Sequence, residues 1–193
     1  IVYPSGTLSG QAGWQVTVGF TTVNSLAGAL SKLTIPAFYG EWFMNRLTAG
    51  YCKMVNHYNR QVYRIDLRPE NVSGFVFWTK NLGPFQNHLQ EVAFRGYPFV
   101  VQYTINRYPR SLELSVVDSR RSIEHMKELS KSFGPKVAVW RYDPILFTSV
   151  TPVDYHRKTF KHLAMELEGT TDEVVISFAQ FYKKTIRNID RAA

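Results

Sequence analysis

Short polar clusters follow several of the most apolar runs in this chain, and they carry the residues best suited to chemistry. "VAVW" leads straight into Arg141, Tyr142, Asp143 and Pro144; "GFVFW" leads into Thr79, Lys80 and Asn81. "PFVVQYTI" presents Gln102, Tyr103 and Thr104, with Asn106 just beyond it. "EVVISF" carries Ser177 and is followed by Gln180, Tyr182, Lys183 and Lys184. A guanidinium and an ammonium bind anions, Arg through a planar fork and Lys as a point charge. A carboxylate two residues from the arginine either orients it toward a ligand or locks it in a structural ion pair, with Pro144 ending the strand. Both readings of Arg141 and Asp143 stand on the sequence. Lys80 likewise divides between anion binding and a solvated side chain, whereas Trp78 reads as core.

The elements that must position these groups alternate. "PAFYGEWFMNRLTAG" (Pro36–Gly50) has a proline for a first turn and Gly50 just past the end, so it reads as a helix with Phe38, Trp42, Phe43 and Leu47 inward. "YCKMV" and "QVYRIDL" read as short strands of a hairpin. Then strand, polar turn and helix recur. Strands are expected to end near Thr79, Ile105, Trp140 and Phe178. The helices between them are Gly83–Gly96, Asp118–Gly134 (capped by Asp118 or Ser119) and Thr151–Gly169 (capped by Thr151, with Pro152 first). Their expected core faces are Phe85, Leu89 and Val92; Ile123, Met126, Leu129 and Phe133; and Phe160, Leu163, Ala164 and Leu167.

Apolar strands separated by helices make a parallel sheet covered by helices. Four strands fall short of the eight of a closed barrel, so the expected fold is α/β, either a compact open sheet or an incomplete (β/α) barrel-like parallel sheet covered by helices. In such folds ligands sit beyond the C-terminal strand ends. The candidate pocket residues are therefore Thr79, Lys80, Asn81, Gln102, Thr104, Arg141, Asp143, Ser177, Tyr182 and Lys183.

Residues 1–33 differ from the rest. Lys32 is their one charge, among many Gly, Ser, Thr and Ala. "WQVTVGFTTV" (Trp14–Val23) reads as a strand and the remainder of the segment as loop. The expected division is an atypical segment over 1–33, outside the main domain and attributable to an altered reading frame or gene boundary, and a partial barrel over 34–193.

At 45% hydrophobic the 193-residue chain is too apolar for disorder, yet no apolar run reaches the roughly 20 residues of a membrane span. No signal-like leader opens it, and its single cysteine, Cys52, excludes an internal disulfide. A cytoplasmic setting without membrane association is the expectation. One thiol also excludes a cysteine-built metal site from this chain alone, and the five histidines lack ligand spacing, so no metal is assigned. No dinucleotide fingerprint, phosphate-binding Gly-Lys-Ser/Thr or nucleophile elbow is present. The net charge of +8 is dispersed, with its densest groups at Arg107/Arg110, Arg120/Arg121, Lys158/Lys161 and Lys183/Lys184/Arg187/Arg191.

The blocks "IPAFYGEWFMNRLTAGYC", "GFVFWTKN", "VVQYTINRYP", "VWRYDPILFT" and "VISFAQFYKKTIRNI", in this order over about residues 34–190, resemble the bacterial family known as domain of unknown function 1848. That family is described as similar to radical S-adenosylmethionine proteins with a C-terminal cysteine cluster. The resemblance implies a TIM-barrel-like fold, a [4Fe–4S] cluster and S-adenosylmethionine in the full-length family, and no reaction. Two departures stand out. The cysteine cluster is missing, so the chain is expected to be a truncated form that binds no cofactor alone and is inactive alone. The family opens near Ser-Arg-x-Thr-Asp-Ile-Pro, whereas this chain has Ser31, Lys32, Leu33, Thr34 and Ile35, with no Asp after the Thr.

Two main functions compete. One is a fragment of a radical-type enzyme of unknown substrate. In it Lys80 and Arg141 hold anionic groups, and Asp143 orients Arg141 or accepts from a ribose or amine. The other is a basic nucleic-acid-binding module using the charge and the tail "YKKTIRNIDR"; a non-catalytic remnant is a third. An unfinished sheet also leaves an open edge for self-association.

Overall fold

The computed structural model describes residues 6–9, 15–18, 35–55 and 59–179. The chain divides into two compact units, residues Thr21–Gln102 and residues Ile1–Phe20 with Tyr103–Ala193.

In the first unit, Ile35–Phe38 (α1) and Gly40–Ala49 (α2) replace the single helix expected. The chain leaves helical geometry at Tyr39 (φ −126°, ψ 24°), which shifts the helical phase between the two. Phe43 and Leu47 are buried as expected, but Phe38 and Trp42 are exposed, a correction to the predicted stripe. Gly50 ends α2 at φ 72°, in the left-handed region where a side chain is strained, and its N–H donates to Leu47 O.

Tyr51–Val55 (β3) and Val62–Asp66 (β4) form the expected antiparallel hairpin, a separate two-stranded sheet, with Cys52 fully buried in it. Phe75–Thr79 (β5) alternates strictly: Phe75, Phe77 and Thr79 are buried, Val76 and Trp78 exposed. Trp78 is thus not core, because the period of two turns it to the opposite face from Phe77.

Gln86–Phe94 (α3) follows, with Phe85, Leu89 and Val92 buried as expected. Phe43, Phe75, Phe77 and Phe85 pack ring against ring, with centroids 5.0–5.9 Å apart, and anchor this unit's core.

Phe99–Thr104 (β6) leads into the second unit. Ser119–Phe133 (α4) is capped by Asp118, whose carboxylate accepts from the Arg120 N–H. It buries Ile123, Met126 and Leu129, along with Ser122 and His125, which its apolar pattern does not show; Phe133 is only half-buried.

Ala138–Ile145 (β7) runs five residues past the predicted end at Trp140. Val153–Glu166 (α5) begins after Pro152, and Thr151 does not cap it with its hydroxyl. That hydroxyl turns back to Leu146 O, 2.8 Å away. Leu163 and Leu167 are buried in its core face, while Phe160 and Ala164 are half-buried. Glu173–Phe178 (β8) matches its predicted bounds.

The main sheet has the order β8-β7-β6-β5, four parallel strands flanked by helices, as expected of an incomplete barrel-like α/β fold. Two further strands lie beyond β8. Gln15–Val18 (β2) pairs parallel with β8, and Gly6–Ser9 (β1) pairs antiparallel with β2. Of the stretch Trp14–Val23, only Gln15–Val18 is described, and it is strand as predicted; Gly6–Ser9 is strand where loop is expected. The expectation that no strand follows Phe178 falls on residues 180–193, outside the described residues.

Candidate functional site

The reason β7 overruns its predicted end lies in how it accommodates Pro144. Tyr142 pairs with Ile176 and Ile145 with Phe178, so three steps on β7 match two on β8. The extra residue is a bulge at Asp143–Pro144. A proline has no N–H for the ladder, and a bulge is where a sheet tolerates that loss.

Alternation along β7 then separates two faces. Trp140 and Tyr142 are buried against α5, their rings 4.9 and 5.3 Å from that of Phe160. Arg141 and Asp143 therefore point to the face away from α5. There the Arg141 guanidinium donates to Asp143 Oδ2, and the Ser177 hydroxyl donates to Asp143 Oδ1. The two charged side chains are only 19% and 16% exposed. Asn106, just beyond β6, closes the arrangement. Its Nδ2–H donates to Asp143 O, and its Oδ1 accepts from the Asp143 N–H, both at 3.1 Å.

Arg141 and Asp143 on β7 thus join Asn106 and Ser177, 37 and 34 positions from Asp143, in one network at the ends of three neighbouring strands. The ion pair posed as the structural alternative does form. It also presents a guanidinium held in place on a strand, the arrangement that recognises planar anions.

Behind Tyr142, on the α5 side, a second polar group holds the exit of β7. His156 Nε2–H donates to Leu146 O at 2.9 Å, leaving Nδ1 to accept from the Tyr142 hydroxyl at 2.8 Å. Tyr108 donates to Pro144 O (2.7 Å) and accepts from the Leu146 N–H (2.8 Å). Burial pushes the Tyr108 phenol up to about 12, with the Leu146 N–H acting in the other direction. Burial also raises Tyr142 and Tyr155, so all three stay protonated donors at neutral pH. Tyr108 and His156 were absent from the sequence-predicted site. The only local signal was that "NRYP" follows a core strand at once.

The connection from β6 to α4, residues 105–118, encloses a cleft of about 200 Å³ at the strand end. Thr104 and Asn106 line it with Arg107, Arg110, Glu113 and Asp118. Arg107 takes φ 58°, a left-handed conformation unusual for a non-glycine residue. It is clamped there: its Nε donates to Ser119 Oγ (2.8 Å), its guanidinium pairs with Glu166 (3.2 Å), and its carbonyl accepts from the Tyr155 hydroxyl.

The remaining predicted residues sit as follows. Thr79 is buried; its hydroxyl accepts from the Asn81 N–H (2.9 Å) and donates to Asn81 O (2.8 Å). The Asn81 side chain accepts from the Gly83 N–H (3.1 Å), so both side chains shape the turn into α3. Lys80 and Gln102 are half-buried in the first unit. Tyr103 faces α4, its hydroxyl 3.2 Å from His125 Nδ1. Gln180, Tyr182, Lys183 and Lys184 lie outside the described residues.

Among the described residues no cluster of His, Cys, Asp and Glu can hold a metal ion, and no helix is long and apolar enough to cross a membrane. The single thiol, Cys52, is buried in β3, and burial pushes its pKa up. An iron–sulfur cluster needs several thiolates, so the residues of this chain do not fit one.

Fold and network together define an α/β protein with a partial parallel sheet and a polar constellation at its strand ends. The family model described as domain of unknown function (DUF1848) matches residues 29–193, and the chain belongs to that family. None of the curated proteins and none of the solved structures matches it.

Proposed function

We propose that this chain is the sheet portion of a radical S-adenosylmethionine-type enzyme of unknown substrate, and that it binds an anionic ligand group at the ends of β6, β7 and β8. One observation carries the reading. The Arg141–Asp143–Ser177 network lies on the sheet face away from α5, at the strand ends where parallel α/β folds take their ligands. In this reading Arg141 binds a carboxylate or phosphate of the ligand. Asp143 keeps the guanidinium aligned, and Ser177 and Asn106 keep Asp143 aligned. Cluster chemistry is not assigned to these residues, and any cluster thiolates come from outside them.

Isothermal titration of S-adenosylmethionine into the wild-type chain and into Arg141→Gln tests this. Saturable binding that weakens at least about tenfold in the variant is expected, because a bidentate charge-assisted contact is lost. Equal binding by both proteins, or none by the wild type, refutes it.

A further inference from the structure

The β3–β4 hairpin carries charges that the fold itself does not use. In its antiparallel register Lys53 stands opposite Arg64, Tyr51 opposite Asp66 and Val55 opposite Val62. These six share one face of the ribbon, and Cys52 and Ile65 on the other face are buried behind it. Lys53 and Arg64 are both exposed. Like charges directly opposite on paired strands repel and weaken a hairpin. Only the register of the strands shows that these two are neighbours.

Neither charge is neutralised where it stands. Among the described residues, Lys53, Arg60 and Arg64 have no ion-pair partner. Asp66, the carboxylate on their face, is taken by Arg68 Nε at 3.0 Å and Asn71 Nδ2 at 3.1 Å. Glu70 also turns to Arg68, at 3.7 Å. Arg64 sits over the Tyr51 ring, its Cζ 4.0 Å from the ring centroid. That contact fixes the guanidinium without a carboxylate, so its charge stays available.

Arg60 adds a third exposed cation just before β4, in a left-handed conformation at φ 59°. Its neighbours hold it there. Asn59 Oδ1 accepts from the Gln61 N–H at 3.1 Å, and Asn59 Nδ2 donates to Gln61 Oε1 at 3.0 Å. The Tyr63 hydroxyl donates to the same Gln61 oxygen at 2.8 Å. A cation ordered before its partner arrives lowers the cost of binding.

We infer that this face of the hairpin binds single-stranded nucleic acid, with Lys53, Arg60 and Arg64 on its phosphates. Exposed, solvated cations hold a small anion weakly, whereas a polyanion spans all three and gains by releasing counterions. The surface between the charges favours a single strand over a duplex. Val55 and Val62, 48% and 60% exposed, form an apolar pair beside Lys53 and Arg64. Unpaired bases can lie on such a surface, and the stacked bases of a duplex cannot. The inference stands on the hairpin alone and does not depend on the function proposed for Arg141.

Fluorescence anisotropy of a labelled oligothymidylate of about 20 nucleotides, titrated with the whole chain, tests it. Wild type is expected to bind saturably, with a log–log salt slope near −2, about 0.7 for each phosphate contact. The double variant K53Q/R64Q is expected to bind at least about tenfold more weakly, with the slope flattened to about −0.7. K127Q/K131Q removes the same charge from exposed positions of α4 and is expected to stay within about twofold of wild type. A duplex of equal length is expected to bind at least about tenfold more weakly than the single strand. Circular dichroism verifies folding. Where R64Q loosens the hairpin, K53Q alone decides, through a slope lowered by about 0.7.

No saturable binding by wild type, equal binding by K53Q/R64Q, an equal loss in K127Q/K131Q, or a duplex bound as tightly overturns the inference. So does binding to phosphatidylglycerol vesicles, lost in K53Q/R64Q, in place of the oligonucleotide. S-Adenosylmethionine enters none of these measurements, so this inference and the function proposed for Arg141 can fail separately.

Discussion

Replacing Asp143 by alanine removes the carboxylate that takes both the Arg141 guanidinium and the Ser177 hydroxyl. Arg141 stays where β7 holds it, with a side chain only 19% exposed. Deleting one partner of a buried pair costs about 3–5 kcal/mol, because the other charge is left in a poor medium. With 19% and 16% of the two side chains still exposed, water screens part of that, so the lower end, about 3 kcal/mol, is expected. For a chain of this size each kcal/mol moves Tm by about 2–4 °C, so Tm should fall by about 6–12 °C.

Thermal unfolding followed by circular dichroism measures it in wild type, D143A, D143L, R141M and the double variant R141M/D143L. The singles are expected to lose stability strongly. The double, with both charges gone and volume largely kept, is expected to return to within about 1 kcal/mol of wild type. It should still fail to bind S-adenosylmethionine, which separates the stability of the pair from its use. Singles that each cost under about 0.5 kcal/mol and add independently would show that the pair is not coupled, and the strand-end network would fall with it.

Three further outcomes are expected. His125 is buried beside Tyr103, and burial lowers its pKa below the usual 6.5. The unfolded chain therefore takes up its proton first on acidification. Stability is full above about pH 6.5 and falls as pH drops through the window below it, a slope that urea midpoints should show in wild type and lose in part in H125F. Tyr142→Phe leaves the buried His156 Nδ1 without its donor and should cost about 1–3 kcal/mol in urea unfolding. Gly50→Ala places a side chain at φ 72° and should cost about 1–2 kcal/mol in the same assay.

Much of the architecture was legible along the chain. Leu89 and Val92, or Ile123 and Met126, fall at helical spacing because burial on one side of a 3.6-residue repeat demands it, and the structure buries all four. The strand ending at Phe178 has the predicted limits because its apolar run stops where solvent begins. The signal failed where an element changes phase or tolerates an exception. Tyr39 breaks a helix that looks continuous, and Phe38 turns outward. Pro144 reads as a stop, yet the bulge carries β7 on to Ile145.

Arg141, Asp143 and Ser177 were legible as polar residues at strand ends, because local composition marks where a strand leaves the core. That their side chains share one network, that Asn106 locks into it, and that Tyr108 and His156 hold the exit of β7 depend on register between strands and on packing against α5. Such pairings join residues tens of positions apart, and no local pattern encodes the distance between them. Residue order therefore specified which groups stand at the strand ends, and only the folded sheet decided which of them meet.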